Sequence, residues 1–180
     1  DENDEDGDLI SGRPNLVWSQ KLQTQVLGRF GWKANEPSLL QIAASAFNKD
    51  IGITTSWNFK ENCTGDAINC LKQPNGNGGT RGELPELENN ALEQVVFYLK
   101  ALAIPRARNL EDDEVQRGKK IFHEIKCSAC HHPSFTTGNI PDMSQLSNQK
   151  IFPYADLLLH DMGEELADNR PDHLATGREW

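Results

Sequence analysis

Two thiols and an imidazole stand together in Cys127-Ser128-Ala129-Cys130-His131, and this run limits what the chain can fold into more tightly than any other. Cys-x-x-Cys-His is the attachment signature of a c-type haem. The thiols add to the two vinyl groups and fix the edge of the porphyrin, while the adjacent histidine reaches the iron from one face. The competing uses of a Cys-x-x-Cys pair need partners that the sequence does not place nearby. A structural zinc site takes four ligands, and the other cysteines, Cys63 and Cys70, lie far upstream without matching spacing. A thioredoxin-like dithiol follows a strand in an α/β pattern, and no such pattern leads into Cys127. Haem also suits the composition. Apolar residues make up 37% of the 180, lean for a core of that size, and a haem is a large apolar body that helps complete one.

The segment leading to the motif carries Val115, Gly118, Phe122 and Ile125 at helical spacing, which predicts a helix from about Asp112 to Lys126 that delivers Cys127 directly. A longer helix is predicted from Pro85 to Ile104, with Leu87, Ala91, Leu92, Val95, Val96, Leu99 and Leu102 on one stripe and Pro105 ending it. A third runs from Ser38 to about Asn48, after Pro37. Tyr154 to Met162 reads as a short apolar helix. Residues 1–35 read as loop with short helical pieces, holding Trp18, Phe30 and Trp32 as buried candidates, and residues 52–83 as a long irregular loop. Gly76-Asn77-Gly78-Gly79 in that loop is followed by no Lys-Ser/Thr pair, so it is not read as a phosphate cradle. These elements define an all-α class, with cytochrome c-like helical domains and long irregular loops.

A second axial ligand is less constrained than His131. Met162 and Met143 are the only methionines, and a thioether ligand would raise the iron's reduction potential. Met162 is carried as the candidate metal ligand beside His131, while His160, His132 and Tyr154 remain chemically able to serve.

Cys63 and Cys70 close a small loop inside the long irregular segment, as a disulfide would in an oxidising compartment, with two free buried thiols as the alternative. Covalent haem attachment in bacteria belongs to the same side of the membrane, so a periplasmic or secreted location is expected. With 18 Lys+Arg against 27 Asp+Glu, the net charge of −9 argues against nucleic acid or an anionic membrane as the main partner. No apolar run is long enough to span a membrane. The acidic opening, with Asp4, Asp6 and Asp8 around Gly7, is either part of a calcium site completed from elsewhere or a solvated tail, because the closing glutamate of an EF-hand loop is missing.

Gly118-x-x-Ile121-Phe122-x-x-x-x-Cys127-x-x-Cys130-His131 resembles the first helix and haem motif of a class I cytochrome c domain, and Val96-Phe97-Tyr98-Leu99-Lys100-Ala101-Leu102 resembles the last helix of such a domain. A last helix therefore precedes a first one. Together with Asp8 to Asn15, Arg29 to Lys33, Cys127 to His132, Pro153 to Gly163 and Arg178-Glu179-Trp180, the chain resembles the di-haem oxidoreductase family. These proteins are distantly related to di-haem cytochrome c peroxidases and are also labelled thiol oxidoreductases. Members carry an earlier Cys-x-x-Cys-His, absent here, and continue past the Glu-Trp at which this chain stops.

The resemblance implies a central piece of a longer protein. Residues 1–104 would be the remainder of a first cytochrome domain, with Phe30, Trp32 and Lys33 lining its haem pocket. Residues 105–112 would link it to a second domain, 113–180, cut short at its C-terminus. It further implies a peroxidase-like oxidoreductase in which the haem on His131 relays electrons, with a redox partner protein or a second haem domain as its partner. The catalytic residues stay unassigned at this stage. The alternatives are an electron-transfer or filament-forming multihaem cytochrome that never meets substrate, and a zinc-binding module.

Overall fold

The computed structural model describes the chain apart from residues 1, 2, 4, 6, 8, 9, 64, 66, 68, 80, 81 and 103–107, and the side chain of residue 71. The acidic residues read as a calcium candidate, Asp4, Asp6 and Asp8, lie outside the described residues. The chain divides into two units that interleave in sequence. The larger is Pro14–Leu102 with Met162–Trp180, and the smaller is Asp1–Arg13 with Ala103–Asp161. This division differs from the expected one. A joint does fall near residue 103, but the C-terminal stretch packs with the first hundred residues.

The larger unit opens with an antiparallel hairpin, β1 (Leu16–Ser19) and β2 (Thr24–Leu27), in which Leu16 pairs with Leu27 and Ser19 with Thr24. The sequence reading expected helical pieces here. Instead the side chains alternate with period two, Val17 and Ser19 inward, Leu16 and Trp18 outward. Trp18 is accordingly 47% exposed and Trp32 76% exposed, so neither is the buried residue it was expected to be.

Helix α1 spans Leu39–Ile51. The Ser38 hydroxyl caps it by accepting from the Gln41 amide at 3.1 Å, and Gly52, at φ 71°, supplies the left-handed turn that ends it. Gln41 also ties the helix to the hairpin. Its side-chain oxygen accepts from the Gln20 amide at 3.0 Å, and its Nε2 donates to the Trp18 carbonyl at 2.9 Å.

Helix α2 spans Asn89–Ala101, shorter at both ends than the stripe suggested. Its approach is held by buried Thr54, whose backbone amide donates to Glu86 Oε2 at 2.8 Å and whose carbonyl accepts from the Leu87 amide at 3.0 Å. With its backbone amide so committed, Leu87 stays outside the helix. Ala43 and Ala44 of α1 meet Leu92 and Val96 of α2, with Leu39, Phe47, Trp57 and Leu99 around them. The small alanines let the two helices approach closely. Between the helices, the long irregular segment is stapled by a Cys63–Cys70 disulfide, as the spacing suggested.

In the smaller unit α3 spans Asp113–Glu124, capped by Asp112, whose Oδ1 accepts from the Glu114 amide at 2.8 Å. Lys126 sits in the left-handed region at φ 65° and turns the chain into a short helix, α4 (Cys127–Cys130). A two-rung pairing follows, β3 (Phe135–Thr136) with β4 (Lys150–Ile151).

The predicted helix from Tyr154 to Met162 does not form. Tyr154 and Leu157 have φ of 51° and 62°, which interrupts any helical repeat. The backbone polar groups find partners elsewhere. Leu159 exchanges two hydrogen bonds with Arg13, of 3.0 and 2.8 Å, and is buried by that bridge while Leu157 stays at the surface. Among the described residues, no helix is long and apolar enough to cross a membrane.

Candidate functional site

Helix α4 is a single turn, so Cys127 and Cys130, three residues apart, lie on the same side of it. Neither is in a disulfide, and both are partly exposed. His131 ends the turn, its amide donating to the Cys127 carbonyl at 2.9 Å. Its Nδ1 lies 2.9 Å from the carbonyl oxygen of Tyr154. A carbonyl only accepts, so Nδ1 donates there and Nε2 is the nitrogen left to ligate a metal. Phe122 of α3 braces both residues. Its ring meets Tyr154 edge-on at 5.7 Å and lies 6.4 Å from the His131 ring.

The donor set fits a covalently held haem on a further count. Val115, Ile121, Ile125, Phe135, Phe152 and Tyr154 of this same unit are exposed, and no residue of α3 is buried. That gives a large flat apolar body ample surface to cover. Cys127, Cys130 and His131 are the residues that would hold it.

A charged pair stands behind Cys130. The imidazole of His160 bonds through Nε2 to Asp156 Oδ2 at 2.8 Å and through Nδ1 to the Ser11 carbonyl at 3.0 Å, and Nδ1 is also 4.0 Å from Cys130 Sγ. The Asp156 hydrogen bond holds the His160 imidazole above its ordinary range, against the opposing pull of burial. Burial raises the Asp156 carboxyl. The hydrogen bonds from His160 and the Leu158 amide outweigh it and leave the group below its usual value. Sequence reasoning missed this pair. Asp156 and His160 are four apart, a helical signal, yet they meet across non-helical chain that holds left-handed Leu157.

Met162 belongs to the larger unit, where its amide donates to the Arg178 carbonyl at 3.0 Å. The His132 ring packs on Phe135 at 4.5 Å, and the Met143 carbonyl accepts from the Leu146 amide.

A second site lies wholly within the larger unit. Lys33 is only 4% exposed, and its ammonium donates to Asp168 Oδ1 at 2.8 Å, to the Arg170 carbonyl at 2.9 Å and to the Thr176 carbonyl at 3.1 Å. It also faces the Trp180 ring at 5.2 Å. The Lys33 bond, with that of the Arg170 amide, keeps the Asp168 carboxyl below its usual range. Asn15, fully buried, donates to the Lys33 and Asp172 carbonyls and accepts from the Leu174 amide. The result is a cavity of about 650 Å³ walled by Trp32, Lys33, Asp168, Arg170, Asp172 and Trp180, with the two indoles edge to face at 5.6 Å.

Two thiols and an oriented imidazole side by side form a donor set that suits a metal-bearing cofactor. Residues 1–180, the whole chain, match the family described as "Di-haem oxidoreductase, putative peroxidase", and the chain belongs to that family. Haem is the cofactor that description names. No curated protein and no solved structure matched the chain.

Proposed function

We propose that this chain carries a c-type haem joined by thioethers to Cys127 and Cys130 and ligated by His131, and that it serves a peroxidase-like di-haem oxidoreductase as the electron-relaying site. The observation that carries the reading is the His131 imidazole, fixed through Nδ1 by the Tyr154 carbonyl, which leaves Nε2 to ligate, directly beside two thiols that are not joined in a disulfide. When bound, the haem supplies reversible one-electron chemistry at iron.

The chain's own residues supply the rest. The thiols fix the ring edge, and the Tyr154 carbonyl sets the imidazole tautomer and makes it a better donor. Phe122 limits the freedom of both. The tryptophan-walled cavity of the larger unit is of a size to receive part of a second haem, with Trp32 and Trp180 as its apolar walls. The Cys63–Cys70 disulfide supports a periplasmic or secreted setting, where thioether haem is also made.

Intact mass and the haem spectrum of the purified full-length protein test the attachment. The expected result is one haem retained on a denatured peptide containing Cys127 and Cys130, and lost from the Cys127→Ala, Cys130→Ala double variant. Haem extracted by acid and organic solvent from the wild-type peptide would refute it. Turnover of hydrogen peroxide by the reduced protein tests the peroxidase assignment. A holoprotein that is oxidised no faster with peroxide than without it would end that part of the reading.

A further inference from the structure

We infer that His160 is a standing imidazolium beside Cys130, and that its charge holds the reduction potential of the attached haem above the value its axial ligands alone would set. The inference rests on covalent attachment at Cys130 and adds a positioning residue for the electron-transfer step.

The charge state follows from the partners. Nε2 faces a carboxylate oxygen and Nδ1 a backbone carbonyl, and neither oxygen can donate. A neutral imidazole carries one N–H, so one nitrogen would set its lone pair against an oxygen lone pair. The doubly protonated ring satisfies both contacts.

The ring cannot easily turn away. It packs on Gly12, where an added Cβ would stand 2.6 Å from His160 Cε1. Ser11, Gly12 and Arg13 are themselves pinned by the bridge to Leu159. The edge turned to Cys130 is the Nδ1 edge, whereas the neutralising Asp156 carboxylate lies at Nε2, the ring's other nitrogen. Cys130 therefore meets the positive end of the pair. With the His160 side chain 13% exposed, solvent screens that charge less than it would at the surface. A positive charge at the thioether edge favours the reduced haem, which carries one positive charge fewer, and so raises the potential.

The test uses the haem-loaded full-length protein. Mass spectrometry first counts the thioethers. Potentiometric titration then compares wild type with His160→Gln, which is neutral, and His160→Lys, which keeps a cation. The expected result is a lower potential for His160→Gln at an unchanged thioether count, with His160→Lys returning toward wild type. A wild-type potential in His160→Gln overturns the inference while leaving the attachment intact, whereas a wild-type protein without thioethers overturns both. Should His160→Gln fail to load haem, nitrogen-15 NMR of histidine-labelled wild type decides. Both ring nitrogens of His160 protonated at neutral pH support the inference, and one bare nitrogen defeats it.

Discussion

Replacing Asn15 by leucine should unfold the larger unit at a much lower denaturant concentration. The substitution keeps the branched shape and approximate volume, so little cavity opens. It removes the two hydrogen bonds donated to the Lys33 and Asp172 carbonyls, at 2.9 and 3.3 Å, and the one accepted from the Leu174 amide at 3.1 Å. The site is fully buried, so water does not replace them. A buried polar group left without a partner costs about 1–3 kcal/mol, and with three groups affected, one of them weakly bonded to begin with, the sum is about 4 kcal/mol. A domain of this size is stabilised by only about 5–15 kcal/mol in total. With a urea dependence of about 2 kcal/mol per molar, the midpoint should fall by roughly 2 M at constant slope.

Urea titration followed by tryptophan fluorescence reads this directly, because the lost bonds brace the wall that carries Trp32 and Trp180. Gln25→Leu, an exposed change on the same hairpin, is the control and should leave the midpoint nearly where it was. An Asn15→Leu midpoint within about 0.5 M of wild type at the same slope would show that the bonds of Asn15 to Lys33, Asp172 and Leu174 do not hold these segments together.

The Asp156–His160 pair should make stability depend on pH in a defined window. The raised imidazole contributes fully below its unfolded value of 6.5 and loses its contribution as pH rises through its folded value, while the lowered carboxyl contributes above 3.8 and loses as pH falls through its folded value. The difference in urea midpoint between wild type and Asp156→Asn should therefore be largest between those two values and shrink on either side. A difference that is flat with pH would contradict the pairing. Gly12→Ala should displace the His160 ring, since the new methyl would stand 2.6 Å from Cε1 and 3.0 Å from Nε2. The His160 imidazole resonances should shift away from those of the hydrogen-bonded pair, and an unchanged spectrum would mean that the segment 11–13 yields instead.

Much of the helical content was legible because it rests on local rules. The three-and-four spacing of residues such as Leu92 and Val96 acts within a few residues, whereas the Ser38 cap and the Gly52 stop, equally local, were not read. The hairpin at Leu16–Leu27 was not read, though its alternation is present in Leu16-Val17-Trp18-Ser19, because four residues carry too little period to outweigh the polar composition around them. Tyr154 to Met162 misled in the opposite direction. Its leucines suit a helix, but left-handed Tyr154 and Leu157 interrupt the repeat and the bridge to Arg13, distant in sequence, takes the Leu159 backbone bonds instead.

The same division runs through the site. Sequence alone determined that Cys127, Cys130 and His131 act together, because adjacency in the chain guarantees adjacency in space whatever the fold. It also determined that Cys63 and Cys70 could meet, for the same reason. Only the tertiary structure decided which nitrogen of His131 is free, because the Tyr154 carbonyl reaches it across 23 residues. Only the tertiary structure brought His160 to Cys130, and Lys33 to Asp168 and Trp180. Those contacts join segments whose separation in sequence carries no signal of where they will pack.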